Sequence, residues 1–129
     1  MKNINIALIA HDNKKADMVA FVMHNKDYFL NENITLFATG TTGLHIENAG
    51  LTVHKLKSGP VGGDAQIAAK IVNGEIDIVL FFIDPLGLHP HEVDVHMLLR
   101  LCNVYNIPLA TNRATAELML KSINKLKNK

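Results

Sequence analysis

Two glycine-rich stretches carry residue types that chemistry needs. Thr39-Gly40-Thr41-Thr42-Gly43 combines two glycines, which let backbone N–H groups come close to a guest, with three hydroxyls that donate to it. A helix starting there adds a preference for an anion, and phosphate is the natural guest. The same pentapeptide also reads as a tight strand-to-helix turn with a threonine cap. It is neither a Walker loop, since no Gly-Lys-Ser/Thr follows, nor the dinucleotide fingerprint. Ser58-Gly59-Pro60-Val61-Gly62-Gly63-Asp64 puts three glycines and a proline in seven residues and ends in a carboxylate at a predicted helix start. Asp64 is either a cap of that helix or a base held in a pocket, with Ser58 and Gly59 supplying donors beside it.

Two histidine-bearing stretches add acid–base groups. His11-Asp12 precedes Lys15 by about one helical turn. Asp12 caps a helix with Lys15 in solvent, or else a histidine, a carboxylate and a cation line a pocket rim, with Lys15 as a point charge for phosphate. His89, His91, Asp94 and His96 follow Asp84-Pro85, and their spacing matches no zinc pattern. The sharper reading makes His91 a donor to a developing oxyanion, supported by Asp94. Asp84 is a capping carboxylate or a member of the same network.

The elements that would position these groups follow from hydropathy. Apolar runs at Ile4–Ala10, Ile34–Ala38, Leu51–Leu56, Asp77–Ile83 and Ile107–Thr111 read as strands, the first and fourth covered on both faces. Helical patterns occupy Lys15–Leu30, Ala65–Val72, Val93–Tyr105 and Arg113–Leu126, with a short helix after the threonine loop. The alternation predicts an α/β fold with a mainly parallel five-stranded sheet, a single-domain three-layer sandwich over residues 1–129 with a frayed end at 121–129. Each polar stretch follows a strand, so all of them meet at one sheet edge, where such folds bind ligands.

Composition excludes other classes. Of 129 residues, 48% are apolar and 19% charged, and a formal charge of +1 provides no field to attract nucleic acid or acidic membranes. No run approaches the ~20 apolar residues of a membrane helix, and the N-terminus lacks the pattern of a secretory signal. The single Cys102 forms no internal disulfide and suits a reducing cytoplasm.

Taken together, Ile6–Asp12, Ala38–Gly43, Ser58–Asp64, Phe81–Leu86, Pro90–Val95 and Ile107–Asn112 resemble the methylglyoxal synthase family, in that family's order and over about residues 4–120. The resemblance implies a cytoplasmic lyase of the glycolytic bypass that turns dihydroxyacetone phosphate into methylglyoxal and inorganic phosphate, with no metal or organic cofactor. It also implies a homohexamer inhibited allosterically by phosphate. By motif, Asp64 matches the catalytic base, and His91 matches the histidine at the substrate oxygens. Lys15, Thr39, Gly40, Thr41, Thr42, Ser58 and Gly59 match phosphate and substrate contacts, as does His11. Asp12, Asp84 and Asp94 match supporting acids. The chain departs from the pattern at Glu92-Val93, where many members carry Asp-Pro, and some members extend past the last helix to reach a neighbouring subunit's site. The same fold also serves as a non-catalytic regulatory domain that binds ligands, which can keep the phosphate loop without the acids. Here Asp64, His91, Asp12, Asp84 and Asp94 are all present.

Overall fold

Alternate residues of β1 (Ile4–Ala10) enter two different cores. Ile6, Leu8 and Ala10 pack on one face, and Ala7 and Ile9 on the other. A strand covered on both faces has no solvent side, which is why its sequence is almost continuously apolar. The computed structural model describes residues 3–87 and 95–127, with side chains up to Ser122. His91 and Asp94, together with His89, Pro90 and Glu92, therefore lie outside the described residues.

β1 pairs in parallel with β2 (Ile34–Thr39) and β4 (Ile78–Phe82), and the sheet is completed by β3 (His54–Leu56) and β5 (Leu109–Ala110) in the order β3-β2-β1-β4-β5. All four pairings are parallel. Helices α1 (Lys15–His24), α2 (Lys26–Phe29), α3 (Gly40–Asn48) and α6 (Arg113–Lys127) bury Met18, Phe21, Phe29, Ile46 and Leu120 against one face. Helices α4 (Gly63–Val72) and α5 (Val95–Val104) bury Ile67, Ile71 and Leu98 against the other. The three-layer α/β reading therefore holds.

Local chemistry moved several boundaries. The pattern predicted as one helix from Lys15 to Leu30 breaks at Asn25, whose Nδ2 donates to the Phe21 carbonyl at 2.9 Å and to Glu117 Oε1 at 3.2 Å. An asparagine side chain that competes for helix carbonyls ends the helix. The run predicted as a strand from Leu51 pairs from His54 onward; Leu51 and Val53 are buried without joining the ladder. β5 is shorter than Ile107–Thr111 because Pro108 has no N–H to give, although its carbonyl still accepts from Val79 at 3.0 Å.

One glycine is required by space. A Cβ on Gly63 would overlap the Lys57 carbonyl oxygen and lie 2.9 Å from the Ser58 carbonyl carbon, and the Gly63 N–H donates to the Ser58 carbonyl at 2.9 Å. Gly74 differs: its φ is +74°, but nothing lies within 4 Å of a Cβ there. Gly63→Ala should cost about 2–3 kcal/mol through overpacking against backbone, and Gly74→Ala about 1–2 kcal/mol through left-handed strain. Urea unfolding of both variants checks this, and a smaller loss at 63 than at 74 would contradict the packing argument.

Candidate active site

The loops that leave the carboxyl ends of β1 and β4 are bonded to each other. The His11 N–H donates to the Phe82 carbonyl at 3.1 Å, and the Asp84 N–H donates to His11 Nδ1 at 2.9 Å. The His11 ring is buried and stands edge-on to Phe81, with centroids 5.1 Å apart. Asn13 Nδ2 donates to Asp84 Oδ2 at 2.9 Å, and the Leu86 N–H donates to Asp84 Oδ1 at 3.0 Å. The Asn13 amide first, then the Leu86 N–H, hold the Asp84 carboxyl below the usual carboxylate range, and Lys14 adds to the effect. Asp84 is thus an ionised acceptor at neutral pH. Asn13 was not among the residues expected from sequence; an amide two positions past a histidine carries no signal until the fold brings Asp84 to it.

Asp12 opens a 3-10 turn, Asp12–Lys14, and its Oδ1 lies 2.8 Å from Lys15 Nζ. The Asp12 side chain is 77% exposed and that of Lys15 is 28% exposed, so the pair itself adds little stability. It holds a cation just past the carboxyl end of β1.

The threonine loop is the first turn of α3. Thr39 takes the N-cap position, but its side chain caps nothing, and Gly40 has a φ of +56°. The N–H groups of Gly40, Thr41 and Thr42 fall among those that have no intrahelical carbonyl. The three threonines differ in burial. Thr41 is exposed, Thr39 is 5% exposed, and Thr42 is fully buried, with no partner for its Oγ1 among the described residues. Of the three, Thr41 is the one open to solvent.

This loop touches the next one. A Cβ on Gly40 would sit 3.4 Å from Ser58 Cα. Ser58 is exposed and Gly59 half-buried, in a turn whose Gly62 N–H and Val61 N–H donate back to Gly59 and Ser58. The turn delivers the chain into α4. Asp64 is not the cap of this helix: Gly62, with a φ of +113°, holds that position and lends no side chain. Asp64 is half-buried in the first turn, and its Oδ1 accepts the Ala65 N–H at 2.9 Å. A carboxylate there is favoured by the helix dipole.

The start of α6 is different, since Asn112 Oδ1 accepts the Thr115 N–H at 2.9 Å and caps it. A cleft of ≈ 340 Å³ beside it, between Lys14, Pro85 and Arg113, includes none of the expected site residues. Among the described residues no group of three His, Cys, Asp or Glu is placed to hold a metal. Burial pushes the Cys102 thiol up, which makes it a poor nucleophile. No helix of the described residues is long and apolar enough to cross a membrane.

These features can be set against known proteins. The family model for the MGS-like domain matches residues 13–111. A methylglyoxal synthase of Carboxydothermus hydrogenoformans is 54% identical over 122 residues, 94% of this chain and 99% of the relative. One of Bacillus mycoides is 55% identical over 123 residues, 95% of this chain and 92% of the relative. The crystal structure of methylglyoxal synthase from Elizabethkingia anophelis superposes with a TM-score of 0.86 at 44% identity, covering 92% of this chain and 77% of that one. A match of this breadth, on a fold whose sheet edge gathers His11, Asp84, the threonine loop and Asp64, places the chain in the MGS-like domain family, among the methylglyoxal synthases.

Proposed function

We infer that this chain is a lyase converting dihydroxyacetone phosphate to methylglyoxal and inorganic phosphate. One observation carries the reading: Gly40, the first residue of α3, lies against Ser58 in the turn that leads into α4 at Gly63, and neither N-cap residue lends a capping side chain. An uncapped helix start beside such a turn makes a site for a phosphate ester.

The chemistry assigned to the residues is as follows. Asp64 takes a proton from the carbon that bears the substrate hydroxyl, and the electron pair moves to the carbonyl oxygen as an enediolate. That carbon acid is weak, so donors must meet the oxygen as charge develops; His91 and backbone N–H groups supply them. The enediolate then expels phosphate from the adjacent carbon, breaking the C–O bond, and the enol tautomerises to methylglyoxal. Expulsion requires that C–O bond to stand perpendicular to the enediolate plane, where it overlaps the π system. Thr39, Gly40, Thr41, Thr42, Ser58, Gly59 and Lys15 set that torsion by holding the phosphate, and they stabilise it as it leaves. Asp12 keeps Lys15 in place, and Asp84 supports His11, which contacts substrate. Asp94 supports His91. Every step runs through protein donors and one carboxylate, so the reaction needs no metal or organic cofactor.

The proposal extends to assembly and place. Val61 and Leu86 are 66% and 91% exposed on two of the site loops, and Leu44 is 45% exposed on α3. Apolar side chains of that size bordering a site suit a subunit interface, and a homohexamer in the cytoplasm, inhibited by phosphate across subunits, fits them.

Purified protein should release methylglyoxal and phosphate in equal amounts from dihydroxyacetone phosphate, with activity unchanged by a chelator. Asp64→Asn should lower kcat by about 10²-fold or more while substrate still binds; near-normal turnover would remove Asp64 from the role of base. Light scattering should give the mass of a hexamer, and phosphate should make substrate titrations sigmoidal. A monomer mass at all concentrations, or hyperbolic competitive curves, would refute the assembly and the coupling respectively.

A further inference from the structure

We propose that Asn13 is a positioning residue: through Asp84 it keeps His11 a neutral imidazole whose Nε2–H donates to an oxygen of the substrate. The role toward substrate rests on the lyase reading above; the state of the ring does not.

His11 Nδ1 accepts the Asp84 backbone N–H at 2.9 Å. A nitrogen that accepts a hydrogen bond carries no proton, so the proton of the neutral ring is on Nε2. The ring has little freedom to exchange these roles. The His11 backbone N–H is held by the Phe82 carbonyl at 3.1 Å, and Phe81 packs edge-on to the ring at 5.1 Å. The tautomer is therefore decided by where the Asp84 N–H points. Asp84 lies beyond the end of β4, outside the ladder, and its carboxylate directs it instead. One oxygen accepts the Leu86 N–H at 3.0 Å, which shapes its own turn, and the other accepts Asn13 Nδ2–H at 2.9 Å. His11 and Asn13 thus grip Asp84 from one short segment, the first as acceptor and the second as donor. The hydrogen bonds close a ring that runs from His11 through Asp84 to Asn13 and back along the chain.

The consequence is chemical. In this tautomer Nε2 gives a hydrogen bond and cannot take a proton from carbon. A neutral imidazole donor can polarise a carbonyl or meet a phosphate oxygen without ionising. His11 is a donor, and the base is another group.

Two measurements test this. Correlation spectra of the imidazole nitrogens in the ligand-free protein, with His11 assigned by its loss in His11→Gln, should show Nε2 protonated and Nδ1 bare. Asn13→Asp keeps the side-chain shape but removes the donor, and Asn13→Ala removes both. Each should turn the His11 signals into a mixture of tautomers and lower kcat about three- to tenfold, with KM within about twofold and the melting temperature near that of the parent. A proton on Nδ1 in the parent protein, or Asn13 variants with the parent's His11 spectrum and kcat, would overturn the proposal. If the tautomer is as assigned and shifts in Asn13→Asp, yet the parent releases no methylglyoxal, the positioning stands and the lyase reading falls.

Discussion

A β-α-β crossover keeps one hand, and that constraint places everything else in this chain. From β1 the chain steps outward to β2 and β3 with α1, α2 and α3 on one face of the sheet. It then returns past β1 to β4 and on to β5, the opposite direction, and so α4 and α5 must cover the opposite face. The loops after β1 and β4 consequently diverge, leaving a crevice between two adjacent strands at their carboxyl ends. His11 is the first residue past β1 and Asp84 the second past β4 on that edge. Their hydrogen bond is the stitch across the switch point.

The other half of the site depends on close approach. Gly40 lies against Ser58, and Gly63 lies against the Lys57–Ser58 backbone. These contacts bring the start of α3 against the turn that leads into α4, and neither N-cap residue lends a side chain. A helix start that caps itself, as Asn112 does for α6, satisfies its own N–H groups and has less to offer an anion. The absence of a cap at α3 leaves the N–H groups of Gly40, Thr41 and Thr42 without intrahelical carbonyls, and a phosphate can meet them. Here a local rule of helix stability is broken at the place where function would break it.

Much of this was legible beforehand because it rests on period and punctuation. Strands buried on both faces announce themselves as apolar runs, as Ile78–Phe82 does, and glycine clusters after strands mark the loops of the carboxyl edge. What escaped notice depends on contacts between distant segments. Nothing in Lys15–Leu30 reveals that Asn25 will turn its side chain onto Phe21 and Glu117 and end the helix. Thr39, Thr41 and Thr42 look equivalent in sequence, yet the helical turn buries two of them and exposes one. Asn13 acquires meaning once Asp84, 71 positions away, is beside it. Asp64 looked like a cap because acids often are, but a left-handed glycine at 62 starts the helix two residues earlier.

The three described acids of this edge differ in what surrounds them, and the differences divide their labour. Asp12 is largely exposed and balanced by Lys15, so its charge is screened by solvent and by its partner. Asp84 accepts two hydrogen bonds that favour its ionised form and lower its pKa. Both are stable anions that hold other groups. A base must give up its present contacts as it accepts a proton, and the more donors that hold an acid in its charged form, the costlier that step becomes. Asp84, fastened by Asn13 and by the Leu86 N–H, is poorly suited to proton transfer and well suited to orienting His11. Asp64 occupies the first turn of α4, where its Oδ1 accepts the Ala65 N–H. In the mechanism proposed, the helix start that favours the carboxylate would also favour the leaving phosphate, so proton removal and phosphate departure would draw on one field. A shared field of that kind would tie the two proposed steps to a single place in the fold and would give the glycine turn before Asp64 a chemical role beside its steric one.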